Sequence, residues 1–339
     1  MPHTVLLTGA TGFVGSHVAA ALVARGDTVR TLARAGSDTA FIESLGVTVV
    51  RGDLSDAEAI KRAVEGCDVV VHCAAKVGDW GHVDGYRAVN VEGLRNLLDA
   101  TLGKPLHRFV HVSSLGVYAA RHHYATDETE PLPNDHIDGY TQSKVESERL
   151  ALQYYRKQKV PVTILRPGFV YGPRDRTVLP RLVARLKERT VIYIARGRFA
   201  LNTTYVGNLV DAIFLAVETP AAVGEVFNVT DGEFVSKKRF IHAVADGLGL
   251  KRPPVWKTLP LWLAKRLARW RENVYKRKGK TVAPLITSAR VKFAGWNLDF
   301  SIAKARTLLG YDPKTGFDAG MRAALEWLKA NPQTHAEAK

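Results

Sequence analysis

Tyr140 and Lys144 stand four residues apart in the run Tyr140-Thr141-Gln142-Ser143-Lys144, a spacing that puts both side chains on one face of a helix. An ammonium beside a phenol favours the phenolate and lowers its pKa, and an oxidised nicotinamide nearby acts in the same sense. A tyrosine tuned in this way can pass a proton to or from a substrate oxygen while hydride moves between substrate and nicotinamide. The spacing alone is not unique. Tyr155 and Lys159 repeat it, where an exposed pair at a helix end is expected. Position separates the two, because Tyr140 lies 26 residues after Ser114, which itself follows a strand pattern. A hydroxyl there overhangs a cofactor at the carboxyl edge of a parallel sheet.

A second constellation, Thr8-Gly9-Ala10-Thr11-Gly12-Phe13-Val14-Gly15, joins a strand pattern to a helix pattern. Gly9 suits the tight turn, Gly12 lets backbone approach a pyrophosphate, and Gly15 lets the helix pack closely on the strand. The helix start adds free N–H groups and a positive dipole end. Gly9, Thr11, Gly12, Phe13, Val14 and Gly15 therefore read as a dinucleotide site. The alternative is a glycine turn in another Rossmann-like domain, such as a methyltransferase. The second strand ends Val29-Arg30-Thr31-Leu32-Ala33-Arg34, without the acid that binds the ribose hydroxyls of NAD. Arg34 can pair with a 2′-phosphate, so NADP is expected over NAD, against the plain alternative of a solvated surface arginine. Asp53 and Leu54, after the third strand, are placed to contact the adenine.

These groups need elements to carry them. Val5-Leu6-Leu7 reads as a buried strand, Ser16 to Arg25 as a helix stopped by Gly26, and Thr28 to Ala33 as a second strand. Val47 to Val50 is a third strand, followed by a helix through Ala63. Further strands are expected at Val69 to Cys73, Arg108 to Ser113 and Thr163 to Leu165, with helices at Val89 to Ala100 and Tyr140 to Lys157. Strands alternating with helices make βαβ units and a parallel sheet covered on both faces. Right-handed crossovers wind it doubly. The expected fold is α/β, a doubly wound parallel Rossmann sheet with a smaller, mostly helical C-terminal substrate domain. The first domain is expected over 1–170 with a return of 203–230, the second over 171–332, and a frayed tail over 333–339.

Seven motifs, in order along the chain, carry a family resemblance over nearly its whole length. They are the Thr8–Gly15 turn, Gly52-Asp53-Leu54, His72-Cys73-Ala74-Ala75, Asn90-Val91-Glu92-Gly93, Val112-Ser113-Ser114, Tyr140–Lys144 and Leu165-Arg166-Pro167-Gly168. The chain resembles the extended short-chain dehydrogenases/reductases of the NAD-dependent epimerase/dehydratase superfamily. The resemblance implies Ser114 as the hydroxyl that orients a carbonyl, Tyr140 as acid/base, Lys144 as its partner and Asn90 near the proton relay. Ser113 is the competing serine, and a helix cap is the plain reading of Asn90. Ala74, Ala75, Pro167 and Gly168 are implied along the nicotinamide side, with Lys76 as a further cofactor contact.

Within that family, the runs Ala75 to Gly81, Tyr86 to Asn90 and Leu308 to Pro313 look like the 3β-hydroxysteroid dehydrogenase branch. Sugar epimerases carry Val-Tyr-Gly after the catalytic serine, whereas Val117-Tyr118 is followed here by Ala119. The implied activity is hydride transfer between a nicotinamide and a secondary alcohol or ketone on a sterol-like or long-chain 3-keto substrate. A nucleotide-sugar epimerase or dehydratase, and a non-catalytic cofactor-binding protein, are the alternatives. Trp80 and Tyr86 suit an apolar substrate or, equally, ordinary packing under a loop.

Charge is the remaining signal. The 339 residues hold 48 Lys and Arg against 33 Asp and Glu, a net charge of +15. Between Lys237 and Lys292 there are sixteen basic residues against Asp246 and Glu272, which leaves the rest nearly neutral. Leu259, Leu263, Leu267 and Trp270 fall at helical spacing there, with Trp262 beside them. Such a helix can lie in a membrane interface, cover a substrate site with a solvated outer face, or draw in an acidic substrate. Peripheral membrane contact through 255–280 is therefore an expectation, whereas nucleic acid is not, since no recognition module is present. Cys67 and Cys73 alone give no disulfide framework, and the eleven histidines form no metal motif. No signal peptide or membrane span is read, so a cytoplasmic location is expected, and the sequence is compatible with a homodimer.

Overall fold

The computed structural model describes residues 2–332, and the expected tail at 333–339 lies outside them. Val5, Leu7, Val69 and Val71 point to one face of a sheet, and Leu6 and Val70 to the other, all fully buried. Period-two alternation with both faces apolar is what a sheet covered by helices on both sides requires.

The strands and helices alternate as β1 (Thr4–Thr8), α1 (Phe13–Arg25), β2 (Thr28–Ala33), α2 (Ala40–Ser44), β3 (Thr48–Arg51), α3 (Ala57–Val64) and β4 (Val69–His72). A helical stretch follows: α4 (Val83–Arg87), a π-helical turn at Ala88–Glu92 and α5 (Gly93–Thr101). The chain continues through β5 (Arg108–Val112), β6 (His123–Thr126), α6 (Gly139–Gln158), β7 (Val162–Pro167) and β8 (Phe169–Tyr171). Beyond these come α7 (Val178–Lys187), β9 (Tyr193–Ile194), β10 (Thr203–Tyr205), α8 (Val206–Glu218) and β11 (Val226–Val229). The last elements are α9 (Lys237–Gly247), β12 (Thr258–Leu259), α10 (Leu261–Arg277), α11 (Ser288–Gly295), β13 (Leu298–Phe300) and α12 (Phe317–Ala330).

Seven strands form one parallel sheet in the order β11-β7-β5-β4-β1-β2-β3. The order reverses between β1 and β4, and such a reversal opens a crevice at the carboxyl edge. α1 and α8 cover one face, through Val18, Leu22, Leu209 and Ile213. α3, α5 and α6 cover the other, through Ile60, Leu94, Leu97, Leu150 and Ala151. α8 and β11 return to this sheet after the chain has left it, and residues Ile302 to Tyr311 pack on the same core. α7, α9 and α12 enclose a second core around Val183, Phe240, Phe317 and Met321. Short parallel pairs, β10 with β8, β12 with β9 and β13 with β6, lie outside the main sheet.

The basic helix turns its tryptophans outward. α10 buries Ala264 and Ala268 against Ile194 and Val291, while Trp262, Leu263 and Trp270 face outward. Leu259 lies ahead of the helix in β12. Small residues win the inner face because they let α10 lie close on its neighbour.

One buried ion pair locks α6 to β7. Glu148 accepts from Arg166 Nε at 3.0 Å and Nη2 at 2.6 Å, with both side chains almost fully enclosed. Removing one partner of such a pair strands the other charge in a medium that cannot solvate it. Glu148→Ala should therefore lower unfolding stability by roughly 3–5 kcal/mol in denaturant titration. An unchanged midpoint would contradict the structural weight given to this pair.

Candidate active site

In a parallel sheet every strand delivers its carboxyl end to one edge, and the candidate residues follow strand ends. Gly9 follows β1, Arg34 follows β2, Asp53 follows β3, Ala74 follows β4, Ser114 follows β5 and Gly168 follows β7. The topology therefore gathers them along the crevice.

The glycine turn is tight. Gly9 takes φ +78°, and a Cβ there would stand 2.7 Å from the Ala74 amide nitrogen. A Cβ on Gly15 would lie 2.0 Å from the Gly9 carbonyl oxygen. α1 starts with no side-chain cap and no acid in its first turn, while Thr11 and Gly12 are exposed and Phe13 and Val14 partly so. A helix start left open in this way fits a dinucleotide pyrophosphate. Arg34 is exposed, and its guanidinium takes no hydrogen bond or ion pair among the described residues. Ser55 hydrogen-bonds Asp53 at 2.5 and 2.7 Å and holds that carboxyl below the usual range, with the Arg34 charge adding to the effect. Leu54 is buried beside Gly93, and its carbonyl accepts from Asn96.

α6 carries Tyr140 and Lys144. Asp138 caps it by accepting from the Thr141 amide at 2.8 Å, and Tyr140 and Lys144 follow on adjoining turns. Ser114 lies beside the Tyr140 phenol, and its oxygen accepts from the Gly116 amide at 3.0 Å. Ser113 points elsewhere; its hydroxyl is buried with no hydrogen-bond partner among the described residues. Lys144 Nζ donates to the Val112 carbonyl at 2.7 Å. Burial draws the Lys144 pKa down to about 8, against the opposing pull of Glu148.

The expectation of a lowered phenol pKa is corrected for the protein by itself. Burial, and then the Asp138 charge, push Tyr140 up to about 12, with the neighbouring Ser114 hydroxyl opposing them. Spacing puts Lys144 on the right helix face, but its ammonium is spent on a strand carbonyl. The phenol keeps its proton at neutral pH.

Asn90 is no helix cap. It lies inside the π-helical turn, accepts from the Lys76 amide at 2.7 Å, and donates to the Lys76 carbonyl at 3.0 Å and to Ser143 Oγ at 2.9 Å. Ser143 in turn donates to the Tyr140 carbonyl at 2.7 Å. Asn90 thus ties Ala74-Ala75-Lys76 to the start of α6. Tyr86 is buried, donates to the Trp80 carbonyl at 2.7 Å and packs edge-on to the Tyr140 ring at 6.5 Å. Its role is to hold Tyr140 in place. Pro167 ends β7, and the Gly168 amide donates to Val229 O and Thr204 Oγ1. Under Lys144, His72 and His111 stack at 5.4 Å; burial, aided by the lysine charge, keeps both neutral.

Sequence reasoning missed Lys292. From α11 this buried lysine donates to the carbonyls of Gly116 and Tyr118, both at 2.7 Å, and sits 3.3 Å from His136 Nε2. α11 thereby fixes the turn that follows Ser114. Asp79 closes the other side, pairing with Arg290 at 2.6 Å and accepting from Thr287 at 2.8 Å. No local motif marks a lysine whose two carbonyl partners lie 176 and 174 residues away.

Two other features lie apart from this site. His3, His107 and Glu218 bring possible ligand atoms within 4.8 Å of one another at the amino edge of the sheet, where Arg25 already pairs with Glu218. A concavity of about 530 Å³ lined by Asn202, Gly232, Phe300 and Arg306 includes none of the candidate residues.

A family model described as the NAD dependent epimerase/dehydratase family matches residues 5–230. A 2-alkyl-3-oxoalkanoate reductase of Shewanella oneidensis is 29% identical over 330 residues, covering 93% of this chain and 84% of the relative. A 3 beta-hydroxysteroid dehydrogenase/Delta 5→4-isomerase of Mycobacterium tuberculosis is 33% identical over 324 residues, covering 91% and 86%. A UDP-glucuronic acid 4-epimerase from Bacillus cereus, in complex with NAD, shares the fold with a TM-score of 0.76 at 24% identity, over 96% of this chain and 99% of that one.

Burial of charge gives this architecture a pH signature. Lys144 is held down to about 8, and burial holds Lys292 and Lys237 down to about 7, whereas a lysine in the unfolded chain stays near 10.5. Below these folded pKa values both states are protonated and the full cost of burial stands. As pH rises, the fold sheds protons that the unfolded chain keeps, so stability increases. Cys73 and the buried tyrosines are shifted upward and oppose this only at higher pH. Denaturant unfolding should show higher stability at about pH 9 than at about pH 7, with a smaller gain in Lys237→Met. A flat or falling profile would contradict the assignment.

Proposed function

The chain belongs to the NAD dependent epimerase/dehydratase family, and from that premise we propose that it is an NADP-dependent oxidoreductase that reduces the ketone of an apolar, sterol-like or long-chain 3-keto substrate, or oxidises the corresponding alcohol. Action on keto and hydroxy groups follows from its relatives; the substrate and the tyrosine chemistry are our reading. The observation that carries it is the placing of Ser114 beside the Tyr140 phenol at the crevice, with Lys144 buried one turn below.

The glycine turn and the start of α1 would hold the pyrophosphate, Arg34 a 2′-phosphate, and Asp53 with Leu54 the adenine. Ala74, Ala75, Lys76, Pro167 and Gly168 would flank the nicotinamide. When bound, the dinucleotide supplies hydride in the reducing direction and takes it in the other. The protein contributes the proton and the oxygen site. Ser114 donates to the substrate oxygen and orients it, and Tyr140 delivers its phenol proton to that oxygen as negative charge builds there. A phenol pushed up to about 12 is fully protonated at neutral pH, which is the state that ketone reduction needs. Lys144 below it, anchored on the Val112 carbonyl, holds this turn of α6 against the sheet. Asn90 and Tyr86 keep the start of α6 from shifting as the proton leaves.

Ala119 after Val117-Tyr118 supports an apolar substrate over a nucleotide sugar, as do the names of the two relatives. Assay of NADPH oxidation against ketosteroids, 3-keto acids and UDP-sugars tests the reading directly. Oxidation with the first or second class supports it, and turnover of UDP-sugars alone with no net NADPH loss overturns it. Tyr140→Phe should lower kcat by about a hundredfold or more while the dinucleotide still binds; retained turnover would sink the assignment of Tyr140. Arg34→Asp should move preference from NADP toward NAD by about tenfold or more. An unchanged preference would show that Arg34 does not read the phosphate.

A further inference from the structure

The outer side of α10 is chemically odd for a surface in contact with water alone. Trp262 is 64% exposed and Trp270 57%, and Trp256, just before the helix, is 77% exposed. Basic residues stand among them: Arg266 and Arg269 are exposed on the same helix, and Arg271 lies 5.3 Å over the Trp270 ring. From Lys251 to Lys280 there are eleven lysines and arginines and a single acid, Glu272. That acid is already engaged, accepting from the Ser288 amide and hydroxyl at 2.7 Å. The inner side, by contrast, is satisfied by Ala264 and Ala268 against α11. Nothing in the packing of the chain asks for three exposed indoles.

We propose that this face of α10, with Trp256 ahead of it, docks on an anionic lipid surface. Indole rings settle at the level of lipid headgroups, where one side is wet and the other apolar. Arginines interleaved with them meet lipid phosphates, and clustered positive charge without neighbouring acids is the electrostatic complement of an anionic leaflet. A free acidic metabolite needs the charge but has no use for the tryptophans. The helix is too basic to insert, and no helix among the described residues is long and apolar enough to cross a membrane, so the geometry points to a chain that lies on the surface.

The position of α10 gives the docking a purpose. Its carboxyl end meets the loop after β4, where Trp80 donates to the Lys280 carbonyl at 3.0 Å and packs edge-on to Tyr275 at 6.3 Å. The same loop is held by Asn90 and Tyr86 beside Tyr140. The carboxyl end of the helix that carries the docked face therefore adjoins one wall of the reaction site, and an apolar ketone dissolved in lipid would enter from the surface to which the protein is bound. This purpose rests on the proposed function; the docking does not.

Flotation of the full chain with phosphatidylcholine vesicles, with and without phosphatidylglycerol, tests the docking at low and high salt. The expected result is binding to the anionic vesicles alone, weakened about tenfold or more by half-molar salt. Trp262→Ala with Trp270→Ala, and Arg266→Glu with Arg269→Glu, should each lose vesicle binding about tenfold or more and keep the wild-type thermal midpoint. Activity on a water-soluble ketone should stay unchanged in both variants. Equal binding to neutral vesicles, no binding to either, or wild-type binding by the variants overturns the proposal. So does a dimer that the tryptophan variants dissolve, which would assign the face to a second copy. If vesicles bind but no ketone is reduced, the proposed function fails and the docking stands.

Discussion

Burying ionised groups under a helix is costly, and the way α6 meets that cost organises the rest of the molecule. Lys144 and Glu148 lie one turn apart on the side of α6 that faces the sheet, and both are buried. Neither charge is tolerable there without a partner. Glu148 takes the guanidinium of Arg166 from β7, and Lys144 takes the carbonyl of Val112 at the end of β5. Two adjacent strands thus hold two successive turns of one helix, and Tyr140, one turn further up, is fixed above the carboxyl edge beside Ser114. The same guanidinium reaches Tyr118 at 2.8 Å, and Tyr118 donates to Asn228 on the edge strand β11. One network therefore spans α6, the turn after Ser114 and the far side of the sheet.

α11 and the loop before it contribute to this site more than a wall. Lys292 closes on the turn between Ser114 and Tyr118, and Arg290 and Thr287 clasp Asp79 on the opposite loop. Each contact joins a residue of α11, or of the loop that leads into it, to a loop at a strand end. The two sides of the crevice are therefore set by the same short helix. α10, packed on α11 through alanines, shares that anchorage while presenting arginine and tryptophan outward.

Much of this was legible in the sequence, for a plain reason. Runs such as Val69-Val70-Val71 admit only a strand covered on both faces, and Gly26 ends α1 where a left-handed residue is needed. The strand ends then follow, and with them the positions of Gly9, Arg34, Asp53, Ser114 and Gly168. What was not legible depends on distance along the chain. The π-helical turn that aims Asn90 at Lys76, and the reach of Lys292 to Gly116, are tertiary choices that no local pattern encodes. The pKa of Tyr140 failed for a related reason. Helix spacing reports that Lys144 lies on the same side, but only the fold reveals that its ammonium is taken by Val112. On α10, leucine and tryptophan spacing did not reveal that Ala264 and Ala268 form the inner face, where a close neighbour leaves no room for larger side chains.

The central claim is that a ketone carbon receives hydride while Tyr140 protonates its oxygen. Reduction of a ketosteroid or 3-keto acid with NADPH deuterated at the transferring position measures this most directly. The account predicts one deuterium on the carbinol carbon of the product, with one cofactor oxidised for each ketone reduced. An unlabelled carbinol, or a rearranged substrate with no net loss of NADPH, would contradict it.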